Sequence, residues 1–228
     1  MRSNTGMNKG NEKKQPEETN YRVAYRKFWD DVKAKDPQEI INNRQVTYDE
    51  DSLQYTVSYF REEYCVDCRK ETITRVKDGA IPDMMDGIII LNYLAYAEPL
   101  EEKPSQWVSL KEIPGCMIFY PAFHKTSILA LIETFGNDAS LLVEVAPKLS
   151  GEIEKFGDAC AVFDAFPEIP LCAVVWEGDE EVPSNATILF EPSIAHMLHG
   201  ESIIGLGMQL ASKLKKLARQ AKGATEIS

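Results

Sequence analysis

Between Leu53 and Val76 the chain alternates with a period of two: Leu53, Tyr55, Val57 and Tyr59 are interleaved with Gln54, Thr56 and Ser58. That alternation predicts a half-buried strand. Charged, turn-prone residues at Arg61–Glu63 and Arg69–Lys70 divide the rest of the segment into two further strands. The result is a three-stranded antiparallel meander with one solvated face. From Pro82-Asp83 the pattern becomes apolar nearly all round, through Met85, Ile88, Ile89, Leu91, Tyr93 and Leu94. This predicts a central packed helix that Pro99 ends. Further on, Ala159–Phe163, Ile169–Trp176 and Ala186–Phe190 are runs too short for helices and rich in β-branched and aromatic residues, so they read as buried strands. The loop from Glu177 to Asn185 holds four acids, Gly178 and Pro183 and cannot lie inside a sheet. It forms an acidic rim.

The remaining segments have helical spacing. Val23, Phe28, Trp29 and Val32 fall near one stripe of a first helix opening at Tyr21, with Asp30, Asp31 and Lys33 opposite. Asp36-Pro37 starts a short second helix with Ile40 and Ile41 inward. Trp107–Ile113 predicts one more strand, closed by Pro114-Gly115. A helix from Pro121 runs through Phe123, Ile128, Leu129 and Ile132 to Gly136, and another capped by Asp138 carries Leu141, Leu142 and Val145 up to Pro147. Pro192 opens a one-turn helix to His199 that Gly200 terminates, and Ser202–Ala218 forms a closing helix in which Gly205 and Gly207 permit close packing. Strands and helices do not alternate regularly, so the fold class is α+β, with the meander, a central helix, a second small sheet and a C-terminal helix. The expected organisation is a disordered tail at 1–20, a single domain at 21–220 and a flexible tail at 221–228.

Charge narrows the functions. The formal net charge is -11, which leaves little attraction for phosphate backbones or anionic lipid, so neither nucleic acid nor a membrane surface is an expected partner. No stretch approaches the roughly 20 apolar residues that span a bilayer. Residues 1–20 lack an apolar core of the kind a secretion signal has, so a cytoplasmic location with its five cysteines reduced is expected.

Four features carry chemistry. Cys65-Val-Asp-Cys68 is a C-x-x-C, the spacing of half a zinc site or a redox dithiol; no second such pair exists and the motif lies in strand-period sequence, which favours structural thiols. His196 and His199, three apart, would share a helix face and with Glu201 supply a metal set. Trp176, Glu177, Asp179 and Glu180 on the acidic rim would hold a cation or a cofactor, or supply a carboxylate of raised pKa as general acid or base. His124, alone, reads as an ordinary helix histidine. Glycine-rich phosphate loops, G-x-S-x-G elbows, H-E-x-x-H and EF-hand loops are absent from the sequence.

The run FPEIPLCAVVWEGDEEVPSNATILFEPSIAHML, with GIIILNYLAYAEP, QWVSLKEIPG and the Phe123–Gly136 helix, resembles a prokaryotic family catalogued as domain of unknown function 3786. The resemblance spans roughly residues 21–217. It implies a role in anaerobic one-carbon, corrinoid or redox metabolism, since some relatives carry an N-terminal iron–sulfur domain; residues 1–20 of this chain hold no cysteine, and Asn92 stands where many relatives would place His. The expectation is a binding or accessory protein holding a small ligand, a divalent metal, a corrinoid or another tetrapyrrole between the central helix and the rim, with His196 coordinating. The alternatives are an enzyme using the rim carboxylates and an acidic module that recruits a partner protein.

Overall fold

The computed structural model describes residues 16–96, 98–99 and 106–225. Its architecture is α+β, with two antiparallel sheets set around one central helix.

Helix α1 (Pro16–Ala34) begins five residues before the expected Tyr21, so the tail assigned to residues 1–20 overlaps its first turn; residues 1–15 lie outside the described ones. Trp29 and Val32 are buried on its inner stripe, while Val23, expected there, is exposed, and Tyr25 takes the place beside Trp29 with the two rings edge to face. Helix α2 (Pro37–Asn43) is capped by Asp36, whose carboxylate accepts the Gln38 N–H.

The meander has four strands, β1 (Thr47–Asp49), β2 (Gln54–Tyr59), β3 (Glu62–Asp67) and β4 (Thr72–Arg75), in that spatial order. Tyr55, Val57 and Tyr59 are buried as the alternation requires. Leu53, counted in that alternation, instead sits in the turn before β2 with φ 57° and is exposed.

Helix α3 (Met84–Ala95) has all ten residues from Asp86 to Ala95 buried and is capped by Asp83. It packs against α1 and against the closing helix α7 (Gly200–Thr225). Its Tyr93 ring stacks on Phe166 at 4.0 Å, which joins the helix to the second sheet.

That sheet is β5 (Val108–Ser109), β6 (Glu152–Glu154), β7 (Ala159–Phe166), β8 (Ile169–Trp176) and β9 (Asn185–Phe190), in the order β5-β9-β8-β7-β6. One face, with Ala161, Phe163, Leu171, Ala173, Val175, Ile188 and Phe190, joins the main core under the helices. The segment after Pro121 is continuous: α4 (Tyr120–Phe123), a π turn at His124–Ile128, and α5 (Leu129–Phe135), followed by α6 (Ser140–Val145).

Two expectations fail at the C-terminal end. Gly200 opens α7 rather than ending a helix, because the preceding 3-10 turn is only Pro192–His196. The helix also runs to Thr225, through most of the segment assigned to a tail at 221–228; residues 226–228 lie outside the described ones. Among the described residues no helix is long and apolar enough to cross a membrane.

Candidate functional site

The strand register separates the residues expected to share one site. Trp176 pairs with Asn185 at the loop end of the β8–β9 hairpin, whereas Phe190, after which the chain leads to His196, pairs with Leu171 at the other end. At roughly 3.4 Å per residue the two ends lie about 17 Å apart along the strand. Trp176 also points away from the helices, into a small cluster with Cys160, Cys172 and Val174, its ring edge-on to Phe156. Trp176 and His196 therefore start from opposite ends of the hairpin, and neither lines the clefts described below.

Two of the rim carboxylates, Glu177 and Asp179, are committed to local structure. Glu177 accepts the Ala139 N–H at 2.5 Å, ahead of α6, and its own N–H donates to Asp158. Asp179 accepts the N–H groups of Glu181 and Val182, which hold its pKa below the usual carboxylate range. Glu180 and Glu181 are exposed. A general acid needs the opposite environment, a carboxyl group that is desolvated or crowded by like charge.

His196 ends the 3-10 turn and His199 lies outside it, so the two do not share a helix face. Among the described residues no group of three or more His, Cys, Asp and Glu side chains is gathered closely enough to hold a metal ion, so the set His196, His199 and Glu201 is not assembled. Cys65 and Cys68 are half-buried and free, and burial pushes both thiols up, Cys68 to about 11, away from reactive thiolates. His124 lies in the π turn, 5.8 Å from the Tyr120 ring.

His199 and Glu201 do come together elsewhere, on the wall of a cleft of about 500 Å³ between α1, α3 and the start of α7. Phe28, Met85, Ile88 and Phe119 supply its apolar lining, and Lys27 and Ser202 its polar points. The His199 ring lies 4.5 Å from that of Tyr96 and 5.8 Å from that of Phe28. Its backbone fixes the start of α7: the carbonyl accepts from Ser202 and Ile203, and the N–H donates to the Asn92 side-chain oxygen at 3.0 Å. Asn92 is fully buried, and its amide nitrogen has no hydrogen-bond partner among the described residues. Met85, Ile88 and Asn92 fall on one stripe of α3 at spacings of three and four. A polar residue in the apolar second half of the helix was the sequence signal for this contact.

A second polar cluster escaped the sequence reading. Asp86, 5% exposed, accepts from Tyr59 Oη at 2.6 Å and Lys213 Nζ at 2.8 Å. Burial raises its pKa, with the Lys213 charge opposing. The neighbouring cleft, about 360 Å³, is lined by Tyr64, Arg75, Gln209 and Lys216 among others. The group ties α7 to α3 and β2. A carboxylate in the first turn of a mostly apolar helix was its one trace in the sequence; its partner stands 127 residues away.

No curated protein and no solved structure matches this chain. The model of a family described as a domain of unknown function, DUF3786, matches residues 36–213, from the cap of α2 to Lys213 on α7, and so takes in α3, both sheets and the His199 wall of the cleft. That is well over half of the chain, and the chain belongs to this family.

Proposed function

We propose that the chain is a binding or accessory protein that holds a small, mostly apolar ligand in the His199 cleft. The observation that carries this reading is the imidazole set against Tyr96 and Phe28 on the wall of a cleft of about 500 Å³. That volume lies in the range of small-molecule sites, and an apolar lining with few polar groups is their usual composition. Lys27, His199 and Ser202 give the cleft its hydrogen-bonding points, and Phe28, Met85, Ile88 and Phe119 its apolar surface.

A metal ion held by side chains alone does not fit, since the residues here offer no third ligand. A corrinoid or other tetrapyrrole, which the family resemblance implied, brings its own ring nitrogens and would need fewer side-chain donors from the protein. His199 and Met85, both in the cleft lining, are the residues that would hold such a group. Bound there, such a group would supply metal-centred redox or group-transfer chemistry. A place in anaerobic one-carbon or redox metabolism rests on that resemblance.

The test is a fluorescence titration of the full chain with 1-anilinonaphthalene-8-sulfonate, an aromatic anion of suitable size, followed by cobalamin as competitor. Ala24, half-buried on the α1 wall, gives a blocking variant, Ala24→Trp. The reading predicts one dye per folded chain, about tenfold weaker binding in Ala24→Trp, and a smaller loss in His199→Ala, with thermal unfolding of both variants close to that of the parent. Dye binding that ignores Ala24→Trp would overturn it.

A further inference from the structure

Among the five cysteines the sequence draws attention to Cys65 and Cys68, but the structure brings a different pair together. Cys160 on β7 and Cys172 on β8 have their Sγ atoms 3.2 Å apart. The register pairs Cys160 with Val174 and Val162 with Cys172, so the two cysteines are diagonal neighbours on one face of the sheet. It is the face turned away from the helices: both belong to the small cluster with Val174, covered by the partly buried Val162, Trp176 and Leu189, and not to the main core. The cover is thin, since Phe156, against Trp176, is itself exposed. Local opening of such a cluster needs far less than global unfolding.

We propose that Cys160 and Cys172 are an oxidation site at which a peroxide forms a reversible disulfide linking β7 to β8. The sulfurs need to close from 3.2 Å to about 2.05 Å, which side-chain rotation and a small strand shift supply. The shared hydrogen bond favours Cys160 as the nucleophile: hydrogen bonding from Cys172 lowers the Cys160 pKa, while Cys172 is raised. The Cys160 sulfur attacks one peroxide oxygen, the O–O bond breaks, and water leaves with the thiol proton, giving a sulfenic acid. The Cys172 sulfur then attacks that sulfur, the S–O bond breaks, and a second water carries off the Cys172 proton. The balance is two thiols and one hydrogen peroxide to one disulfide and two waters. Diagonal neighbours across a sheet stand about 7–8 Å apart, just beyond the separations an unstrained disulfide accepts, so the strand shift leaves the bond strained and easily reduced.

The experiment uses the full folded chain. Stoichiometric hydrogen peroxide is added, free thiols are alkylated after denaturation, and peptides are mapped by mass spectrometry. The expected result is loss of two of the five thiols, a cross-link between the peptides bearing Cys160 and Cys172, and full recovery with dithiothreitol. In Cys172→Ala the sulfenic acid on Cys160 has no resolving partner and is trapped by dimedone. A cross-link between Cys65 and Cys68 instead, full alkylation of Cys160 and Cys172 after peroxide, or oxidation that dithiothreitol does not reverse would each overturn the proposal. The wild-type peptide map decides the matter even if the variant fails to fold.

Discussion

Replacing Arg44 by Met tests how the C-terminal end of α3 is held. Arg44 is 3% exposed, and no carboxylate meets its guanidinium among the hydrogen bonds described. Its guanidinium donates to four main-chain carbonyls, those of Asn43 at 2.6 Å, Tyr93 at 3.3 Å, Tyr96 at 2.5 Å and Glu98 at 3.1 Å. Three of them lie at the end of α3, where the last carbonyls of a helix have no partner within it. Methionine keeps much of the apolar stem but donates nothing. Glu98 is exposed and its carbonyl gains water in the variant, whereas Tyr93 is fully buried and Tyr96 half-buried. The Tyr96 carbonyl also accepts the Glu98 N–H at 3.0 Å and keeps that bond, so the loss falls mainly on the buried Tyr93 carbonyl, at about 1–3 kcal/mol. Relief of the desolvation of a buried guanidinium, which already pulls the Arg44 pKa down, offsets part of this. The expected loss is about 1–2 kcal/mol, or roughly 2–8 °C in Tm for a domain of this size. Urea unfolding followed by circular dichroism measures it. Arg44→Lys should recover only part, because an ammonium cannot reproduce the planar fork. A variant within about 0.5 kcal/mol of the parent, or complete rescue by Lys, would refute the clamp.

Three further outcomes are expected. In Gly207→Ala the new Cβ would lie 2.5 Å from Phe123 Cε2, and overpacking of about 1–3 kcal/mol outweighs the roughly 1 kcal/mol of helix propensity gained; thermal melts should show Gly205→Ala milder, since it meets the flexible Met85 sulfur. Asp67 accepts from the backbone of Lys70, the largest cause, and from Gln54, and its pKa is lowered to about 2. A carboxyl group depressed in the folded state stabilises above its unfolded pKa near 4 and loses that contribution as pH falls toward 2, so the stability of Asp67→Asn should change less over this window in urea titrations at stepped pH. Glu177→Ala removes the acceptor for the Ala139 N–H and should cost about 0.5–2 kcal/mol in denaturant unfolding; at the same time it should leave dye binding in the His199 cleft unchanged.

The elements with a strong period were legible in the sequence. Tyr55, Val57 and Tyr59 announced β2, and the apolar run of α3 announced a helix buried on every side. The strands of three residues or fewer, β1, β5 and β6, carry too little pattern; β1 and β6 were missed, and β5 was drawn longer than its two residues. They exist because longer strands beside them offer an unpaired edge. Gly200 looked like a helix stop because glycine favours that position, yet the start of α7 is set by Asn92, a contact 107 residues away. The separation of Trp176 from His196 was available in principle: a turn after Trp176 reverses the chain, so residues beyond the returning strand must lie at the far end. The Asp86–Lys213 contact was not available, since nothing local to either residue specifies the other.

Amide hydrogen exchange of the full chain, with and without saturating 1-anilinonaphthalene-8-sulfonate, tests the central claim most directly, because it reports where the dye sits as well as whether it binds. The account predicts added protection at the start of α7 from Gly200 to Ile203, in the first turns of α3 near Met85 and Ile88, and at Gly115–Phe119. Protection confined to the loop at 177–185, or none in any of these segments at saturation, would contradict it.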